Sequence, residues 1–248
     1  MSDHQNAPLV ADQSEDLQNL PTCLLVRFGL GRHGFRVALI ARNQNRLENL
    51  VDELAECGVT AAAFPADIRE RDTLAAALTS AAEELGPVDV LEYSPSPTGP
   101  ITHAAETTVA SATAQFELHV LGALTAVQTV LPGMLARGAG TVLLTTGVSS
   151  TVPAPFLANV GLAMAGLRNW AHTLHAELHP RGIHVATVTI ASGVIPGDAL
   201  ADPDVIGSRY YRLHQQRDRS EEVIGDLAAF RALVADRNDR SVLSTTAD

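Results

Sequence analysis

The run Phe35-Arg36-Val37-Ala38-Leu39-Ile40-Ala41 is typical of a buried strand, and it opens the alternation that decides the fold. An apolar stripe formed by Leu47, Leu50 and Leu54 follows it and predicts a helix that ends near Gly58. Further apolar runs at about 59–64, 88–92, 141–146 and 183–190 alternate with helical patterns at about 44–56, 70–85, 106–136, 156–178 and 221–235. This order predicts an α/β fold with a parallel sheet covered by helices on both faces.

Composition limits the size, partners and location of the protein. A chain of 248 residues with 46% hydrophobic content can bury one core, so we expect a single domain over 21–248 after a polar, flexible tail at 1–20. The net charge of -11 argues against nucleic acid and against a membrane surface as partners. Cys23 and Cys57 lack a metal-type spacing, and no signal peptide is visible, which favours reduced thiols in a cytoplasmic protein.

A second stretch, Asn159-Val160-Gly161-Leu162-Ala163-Met164-Ala165-Gly166-Leu167-Arg168, bears on the chemistry. Positions four apart share one face of a helix, so Val160 and Met164 are expected to face the same cavity. The stretch resembles the active-site helix of the short-chain dehydrogenases/reductases. The resemblance implies that Val160 replaces that family's proton-donating Tyr and that Met164 replaces its Lys. Neither replacement can transfer a proton.

The resemblance extends from about Leu24 to about Leu227. It implies a Rossmann-like, doubly wound parallel sheet, a small-molecule pocket and a homo-oligomer. The segments that carry it are Phe35–Asn43 for the second strand, Ala66–Ile68 for the acidic turn after the third, Val88–Leu91 for the fourth, Val120–Ala123 for the next helix, Gly140–Thr146 for the fifth strand and Arg181–Val185 for the entry to the sixth.

The two ends of the chain depart from this pattern. Only eight residues, Arg27–Gly34, separate a candidate first strand at Leu24–Val26 from the second, whereas a parallel crossover normally needs a dozen or more. In the alternative, Thr22–His33 is a helix remnant, and the strand and turn are missing. Either alignment truncates the first strand-turn-helix unit. At the other end only Arg240–Leu243 could form the last strand, which is therefore expected to be short or absent.

Five residues are candidates for binding a cofactor. Gly29 and Gly31 resemble the end of the family's glycine-rich turn, which holds a pyrophosphate at a helix N-terminus. Arg42 matches the position that contacts the 2′-phosphate of NADP, and its planar fork suits that anion. Asp67 lies in the acidic turn, and Ser94 lies on the cofactor side of the fourth strand. With the turn incomplete, we expect either no cofactor or weakly bound NADP.

The remaining catalytic candidates also differ from the family pattern. His119 takes the place of the Asn that organises a proton-relay water, and Thr146 or Gly147 takes the place of the family's Ser, with Ser149 just beyond. A proton could come from His119, from Tyr93 or from a water bound by Thr146.

No metal is expected in the site. His175 and His179 lie one helical turn apart, but their spacing differs from that of the zinc-protease motif. Tyr210, Tyr211 and Arg212 lie where the resemblance implies a substrate lid.

Loss of the proton donor favours one function over two alternatives. The preferred reading is non-redox acid/base catalysis on a small molecule, such as isomerisation, dehydration or cyclisation, or ligand binding alone. The alternatives are an atypical NADP-dependent oxidoreductase that reduces a carbonyl and a catalytically silent partner subunit.

Overall fold

The computed structural model describes residues 31, 33–191, 198–199 and 202–245. The tail at 1–20, the candidate strand Leu24–Val26 and Gly29 lie outside these residues. Gly31 is itself helical, as the helix-remnant alternative predicts for this position.

Six strands form in the part of the chain that the structure describes, and every neighbouring pair is parallel. The predicted α/β fold with a parallel sheet is therefore confirmed. The strands are β1 (Val37–Ala41), β2 (Ala61–Pro65), β3 (Val90–Tyr93), β4 (Gly140–Gly147), β5 (Ile183–Ile190) and β6 (Glu221–Ile224).

Seven α-helices connect these strands within the described ranges. They are α1 (Gln44–Glu56), α2 (Arg71–Leu85), α3 (Val109–Phe116), α4 (Gly122–Arg137), α5 (Ala158–Leu178), α6 (Pro203–Gln216) and α7 (Leu227–Thr245). A π-helical turn, Glu117–Leu121, joins α3 to α4 and interrupts the single helix predicted at 106–136.

The strands divide into two groups. β1 pairs with β2, while β3, β4, β5 and β6 pair in that order. A cavity of about 440 Å³ is lined by residues of both β1 and β3, among them Val37, Ile40, Leu91 and Tyr93. The edges of β1 and β3 thus face one space without pairing in the described structure.

Helices cover both faces of the larger group. On β4, Val142 and Leu144 pack with α2, α4 and α5, whereas Leu143 packs with α6 on the opposite face. Because successive strand residues point to opposite faces, a strand buried on both sides needs a continuous apolar run. This explains why the 141–146 and 183–190 segments carry apolar or β-branched residues on both faces, with buried threonines among them.

Three elements near the C-terminus differ from the predictions. The helix predicted at 221–235 is wrong at its start, because Glu221–Ile224 forms β6 and the helix begins only at Leu227. Arg240–Leu243, the only residues expected to be able to form a short last strand, belong to α7, and the last strand of the described residues is the four-residue β6. Helix α6 was missed, although Asp202 caps it and Pro203 occupies its first turn. A four-residue strand is too short for its periodicity to distinguish it from a helix.

The stretch Val109–Arg137 is long and apolar enough to cross a membrane by composition alone. In the fold, Ala123, Val127 and Met134 of this stretch are fully buried against the sheet. Core packing therefore accounts for its apolar character.

We expect Gly182→Ala to destabilise the protein strongly. Gly182 has a φ of +82°, and a Cβ there would collide with the carbonyl oxygen of Gly138, where the starts of β4 and β5 converge. Backbone strain and this collision together should lower the free energy of unfolding by about 3 kcal/mol. Chemical denaturation measures the loss.

Gly99→Ala is the matched control, because Gly99 has a φ of +80° with open space around it. It should cost only the backbone strain, about 1 kcal/mol. Equal losses in the two variants would contradict a steric role for Gly182.

Candidate active site

The candidate site lies at the carboxyl ends of β3, β4 and β5. Ser94 follows β3, Thr146 lies near the end of β4, and Thr189 lies near the end of β5. Parallel strands end at the same edge of a sheet, and open α/β sheets bind ligands at that edge. The N-terminal part of α5 packs against the turn after β4 and against the π-helical turn, which closes the site from one side.

Helix α5 approaches the turn after β4 closely at Gly161. A Cβ at Gly161 would lie 3.3 Å from both the Cβ and the carbonyl oxygen of Ser149. A larger residue would push the helix away from the strand end. Ser149 is half-buried and lies beside the helix, and its catalytic role stays a prediction.

Val160 and Met164 occupy the positions expected from their helical spacing. Both lie on α5, and each is only 5% exposed. Their side chains offer neither a proton nor a charge, so this face of α5 is an apolar wall.

Three hydroxyl groups form a chain beside this wall. The Oγ1 atoms of Thr146 and Thr189 share a hydrogen bond of 2.9 Å, and Ser150 Oγ donates to Thr146 Oγ1 at 3.3 Å. Thr146 and Thr189 are almost fully buried, whereas Ser150 is half-buried. These linked hydrogen bonds polarise one another, so a group bound at the half-buried Ser150 would affect the hydroxyls at the buried strand ends.

His119 lies in the π-helical turn and is fully buried. Neither ring nitrogen has a hydrogen-bond partner among the described residues. Burial lowers the pKa of His119 to about 4, so the ring is neutral at physiological pH. A neutral imidazole carries one N–H and one lone pair, and here neither is used by another described residue. Such π-helical turns often occur at functional sites.

The structure contradicts the proton-donor role predicted for Tyr93. Its ring packs in the main core, and its hydroxyl donates a hydrogen bond of 2.5 Å to the carbonyl of Leu118. Burial raises the pKa of Tyr93, and the nearby charge of Asp67 acts in the same direction. Tyr93 therefore anchors the π-helical turn to β3, and its proton is held in the core.

Two buried amides, missed in the sequence, hold the loop that follows β3. Asn159 accepts a hydrogen bond from Thr102 N and donates one to the carbonyl of Pro100, both at 3.0 Å. Gln115 donates to the carbonyl of Thr98, also at 3.0 Å. Both side chains are buried, with Asn159 0% exposed and Gln115 1% exposed. A polar residue opening an otherwise apolar helix was the available signal for Asn159.

Two of the predicted cofactor-binding residues, Arg42 and Asp67, lie near each other just after β1 and β2. Arg69 donates from its backbone and guanidinium to Asp67, which holds the pKa of that carboxyl at about 2. Arg42 is exposed, and its charge also lowers the pKa of Asp67. No carboxylate within the described ranges forms an ion pair with Arg42.

Ser94 and Gly31, both predicted to bind the cofactor, lie at opposite edges of the sheet. Ser94 is 7% exposed at the end of β3, and its Oγ lacks a partner among the described residues, so it remains a candidate for the site. Gly31 packs against the side chain of Val59, just before β2 begins. That places Gly31 at the amino-terminal edge of the sheet, so the phosphate-binding role predicted for it is wrong.

The predicted lid residues are divided between core and surface. Tyr210 is fully buried, and its hydroxyl shares a hydrogen bond of 2.6 Å with Thr145. Tyr211 stacks on His33, with ring centroids 3.4 Å apart. Tyr210 is thus a core residue of α6, and Tyr211 packs near His33, ahead of β1.

Comparison with known proteins identifies the family. The profile described as short chain dehydrogenase matches residues 26–201, which is more than half of the chain. The chain belongs to the short-chain dehydrogenase family.

Named relatives are similar over most of this chain. A short chain dehydrogenase of Pseudocercospora fijiensis is 29% identical over 177 residues, covering 71% of this chain and 56% of the relative. A very-long-chain 3-oxoacyl-CoA reductase of Aspergillus niger is 31% identical over 163 residues, covering 64% and 47%. This short-chain dehydrogenase therefore spans about half the length of the relatives it matches.

Solved structures show the same fold. A short-chain dehydrogenase from Rhodopseudomonas palustris has a TM-score of 0.74 at 24% identity, covering 84% of this chain and 95% of that one. A metagenomic short-chain oxidoreductase in complex with NADP has a TM-score of 0.72 at 21% identity, covering 84% and 92%. The Rossmann-like fold is thus confirmed.

These relatives correct the expected function. The preferred reading from the sequence was non-redox acid/base catalysis, whereas the matching family is one of dehydrogenases and the named relatives include 3-oxoacyl-CoA reductases. The non-redox reading is therefore wrong, and the alternative of a carbonyl-reducing oxidoreductase is better supported. The non-redox prediction failed because it inferred a change of reaction class from the residues at two positions, Val160 and Met164.

We expect Asn159→Ala to release the loop that follows β3. The change leaves Thr102 N and the Pro100 carbonyl without their partner, which should cost about 2–3 kcal/mol of unfolding free energy. Limited proteolysis should show faster cleavage within residues 95–103.

Asn169→Ala is the control, because Asn169 is exposed on the same helix. It should change stability by no more than about 0.5 kcal/mol. Unchanged cleavage in Asn159→Ala would show that the loop is held by other contacts.

Proposed function

We propose that this protein is an NADP(H)-dependent oxidoreductase that reduces a carbonyl group. The observation that carries the proposal is family membership over residues 26–201, together with relatives that are named 3-oxoacyl-CoA reductases. The apolar wall of Val160 and Met164 suits a substrate that is apolar next to its carbonyl.

The proposal includes a divergent proton path. The match of the α5 sequence to the family pattern assigns Val160 to the Tyr position and Met164 to the Lys position. A carbonyl reduced beside these residues must obtain its proton elsewhere, because an aliphatic side chain and a thioether cannot supply one at neutral pH. Two groups at the same edge remain available, namely the His119 ring and the hydroxyl chain of Thr146.

The residues present fit the two ends of the cofactor. Arg42 has a guanidinium without an ion-pair partner among the described residues, as a 2′-phosphate contact requires. The unpartnered, buried Oγ of Ser94 offers a hydrogen bond on the nicotinamide side. We therefore assign Arg42, Asp67 and Ser94 to NADP, which supplies a hydride when it is bound.

We propose that NADP binds weakly, because the glycine-rich turn that would hold its pyrophosphate is incomplete. In the strand order of this fold, the position between β1 and β3 belongs to the strand that leads into the glycine-rich turn. The sequence leaves only eight residues, Arg27–Gly34, for this turn and its helix, which is shorter than a complete crossover. We therefore assign most of the recognition to Arg42 and Ser94.

We propose that His119 polarises the carbonyl oxygen of the substrate. Its ring is neutral and buried, so its N–H can donate a hydrogen bond in a site of low polarity, where such a bond stabilises developing negative charge strongly. The half-buried Ser150 and the buried Thr146 can hold a water that delivers the proton. His119 thus stabilises charge, and the hydroxyl chain moves the proton.

Arg42→Ala should reduce the affinity for NADPH by about 10-fold, because it removes a charge-assisted contact to the 2′-phosphate. Affinity for NADH, which lacks that phosphate, should stay unchanged. Nucleotide fluorescence titration measures both values.

Arg46→Ala provides the control, because Arg46 is exposed one helical turn further along α1. It should retain the wild-type preference. If Arg42→Ala weakened NADPH and NADH equally, the assignment of Arg42 to the 2′-phosphate would fail.

His119→Ala should lower NADPH-dependent reduction of a 3-oxoacyl thioester by about 10²–10³-fold in kcat, as expected for loss of one donor to a developing oxyanion. NADPH affinity should not change, because the ring is not assigned to the nucleotide. His119→Gln keeps a donor and should retain more activity than His119→Ala. Absorbance of NADPH at saturating substrate follows the reaction.

Tyr93→Phe is the matched control, since its hydroxyl contacts only the Leu118 carbonyl in the described structure. It should keep turnover within a few-fold of wild type. A wild-type protein that binds NADPH but reduces no carbonyl substrate would instead support the silent partner subunit.

A further inference from the structure

A cluster of three histidines lies at the opposite edge of the sheet from the candidate active site. His175 is near the end of α5, His179 follows that helix, and His184 is the second residue of β5. One ring nitrogen from each histidine lies within 4.8 Å of those of the other two. Two of these residues come from one helix end and the third from the adjacent strand start.

His184 is unusual among the three because it is only 1% exposed. Neither of its ring nitrogens has a partner among the described residues. A neutral, buried imidazole without a partner retains a lone pair, and burying it unpaired is unfavourable unless something binds it.

His175 has its ring orientation fixed in the way that metal-binding histidines require. Its Nδ1 lies 2.8 Å from the carbonyl oxygen of Val185, so Nδ1 carries the proton and donates it to that oxygen. The lone pair is then on Nε2. Histidines that bind metals usually donate their other N–H to a carbonyl or carboxylate in this manner.

We propose that His175, His179 and His184 bind one divalent transition-metal ion, with zinc the expected ion and a fourth position open to water. Neutral imidazoles select zinc, copper, nickel or cobalt over magnesium and calcium, which prefer oxygen ligands. Tetrahedral zinc places its nitrogen ligands about 3.4 Å apart, so the cluster must contract slightly. The exposed His179 can turn its ring to close this distance.

The charged residues near the cluster are compatible with a bound cation. Arg217 lies near His184, but its guanidinium donates to the carbonyl oxygens of Gly182 and His214. Asp218 lies on the same side, and its negative charge interacts with His184. An ion here would join the end of α5 to the start of β5, so its role is structural and separate from the reduction.

The experiment uses the full chain without a polyhistidine tag, after removal of metal with a chelator. Cobalt(II) should bind one ion per chain with the visible absorption of a tetrahedral site, and zinc should displace it. Zinc should also raise the melting temperature of the wild-type protein. His179→Ala should weaken binding at least about 100-fold, since losing a ligand exceeds the loss of an outer-shell partner.

Matched variants make the result decisive. His172→Ala removes a histidine from the same helix outside the cluster, so it should bind cobalt as the wild type does. His184→Ala opens a buried cavity, so its result counts only with a wild-type circular dichroism spectrum, and the exposed His179 does not carry this difficulty. A wild-type protein that binds neither ion, or His175→Ala and His179→Ala variants with unchanged affinity, would overturn the proposal.

Discussion

The pairing of β4 with β5 is the constraint on which the rest of the structure depends. The two strands pair in parallel over eight positions, from Gly140 opposite Ile183 to Gly147 opposite Ile190, and nearly every residue is buried. Buried backbone groups must find hydrogen-bond partners, and a one-residue slip would turn every side chain of the strand to the opposite face, away from the residues that it packs against. The register therefore fixes what lies at both edges: Thr146 beside Thr189 at one, and Thr141 beside His184 at the other.

At the carboxyl edge, packing and backbone hydrogen bonds hold α5 against the strand ends. Val160 and Met164 fill space on α5, Gly161 still allows the helix to approach Ser149, and Asn159 still fastens the loop after β3. These contacts depend on shape and backbone hydrogen bonds, and they tolerate loss of acid/base chemistry. The buried polar residues include Ser94, His119, Thr146 and Asn159, and the proposed proton path uses only His119, the hydroxyl chain of Thr146 and water.

The two edges have different physical demands. The proposed reduction needs hydrogen-bond donors held in a dry, apolar space, and His119 is fully buried, while Val160 and Met164 of α5 are also buried. The histidine cluster at the amino edge needs lone pairs that converge, which the Val185 carbonyl and the burial of His184 favour. One helix, α5, serves both, with Val160 near its start and His175 near its end.

The sequence by itself determined the alternation of strands and helices, because a 2-residue period and a 3.6-residue period are local properties of the chain. It also determined that Val160 and Met164 share a helix face. Only the tertiary structure decided that Tyr93 donates a hydrogen bond to the Leu118 carbonyl, that Gly31 packs on Val59, and that His184 lies beside His175 and His179. It also turned Glu221–Ile224 into a strand by pairing it with β5. Each of these depends on partners distant in sequence, and no local pattern specifies which side chains a folded sheet brings together.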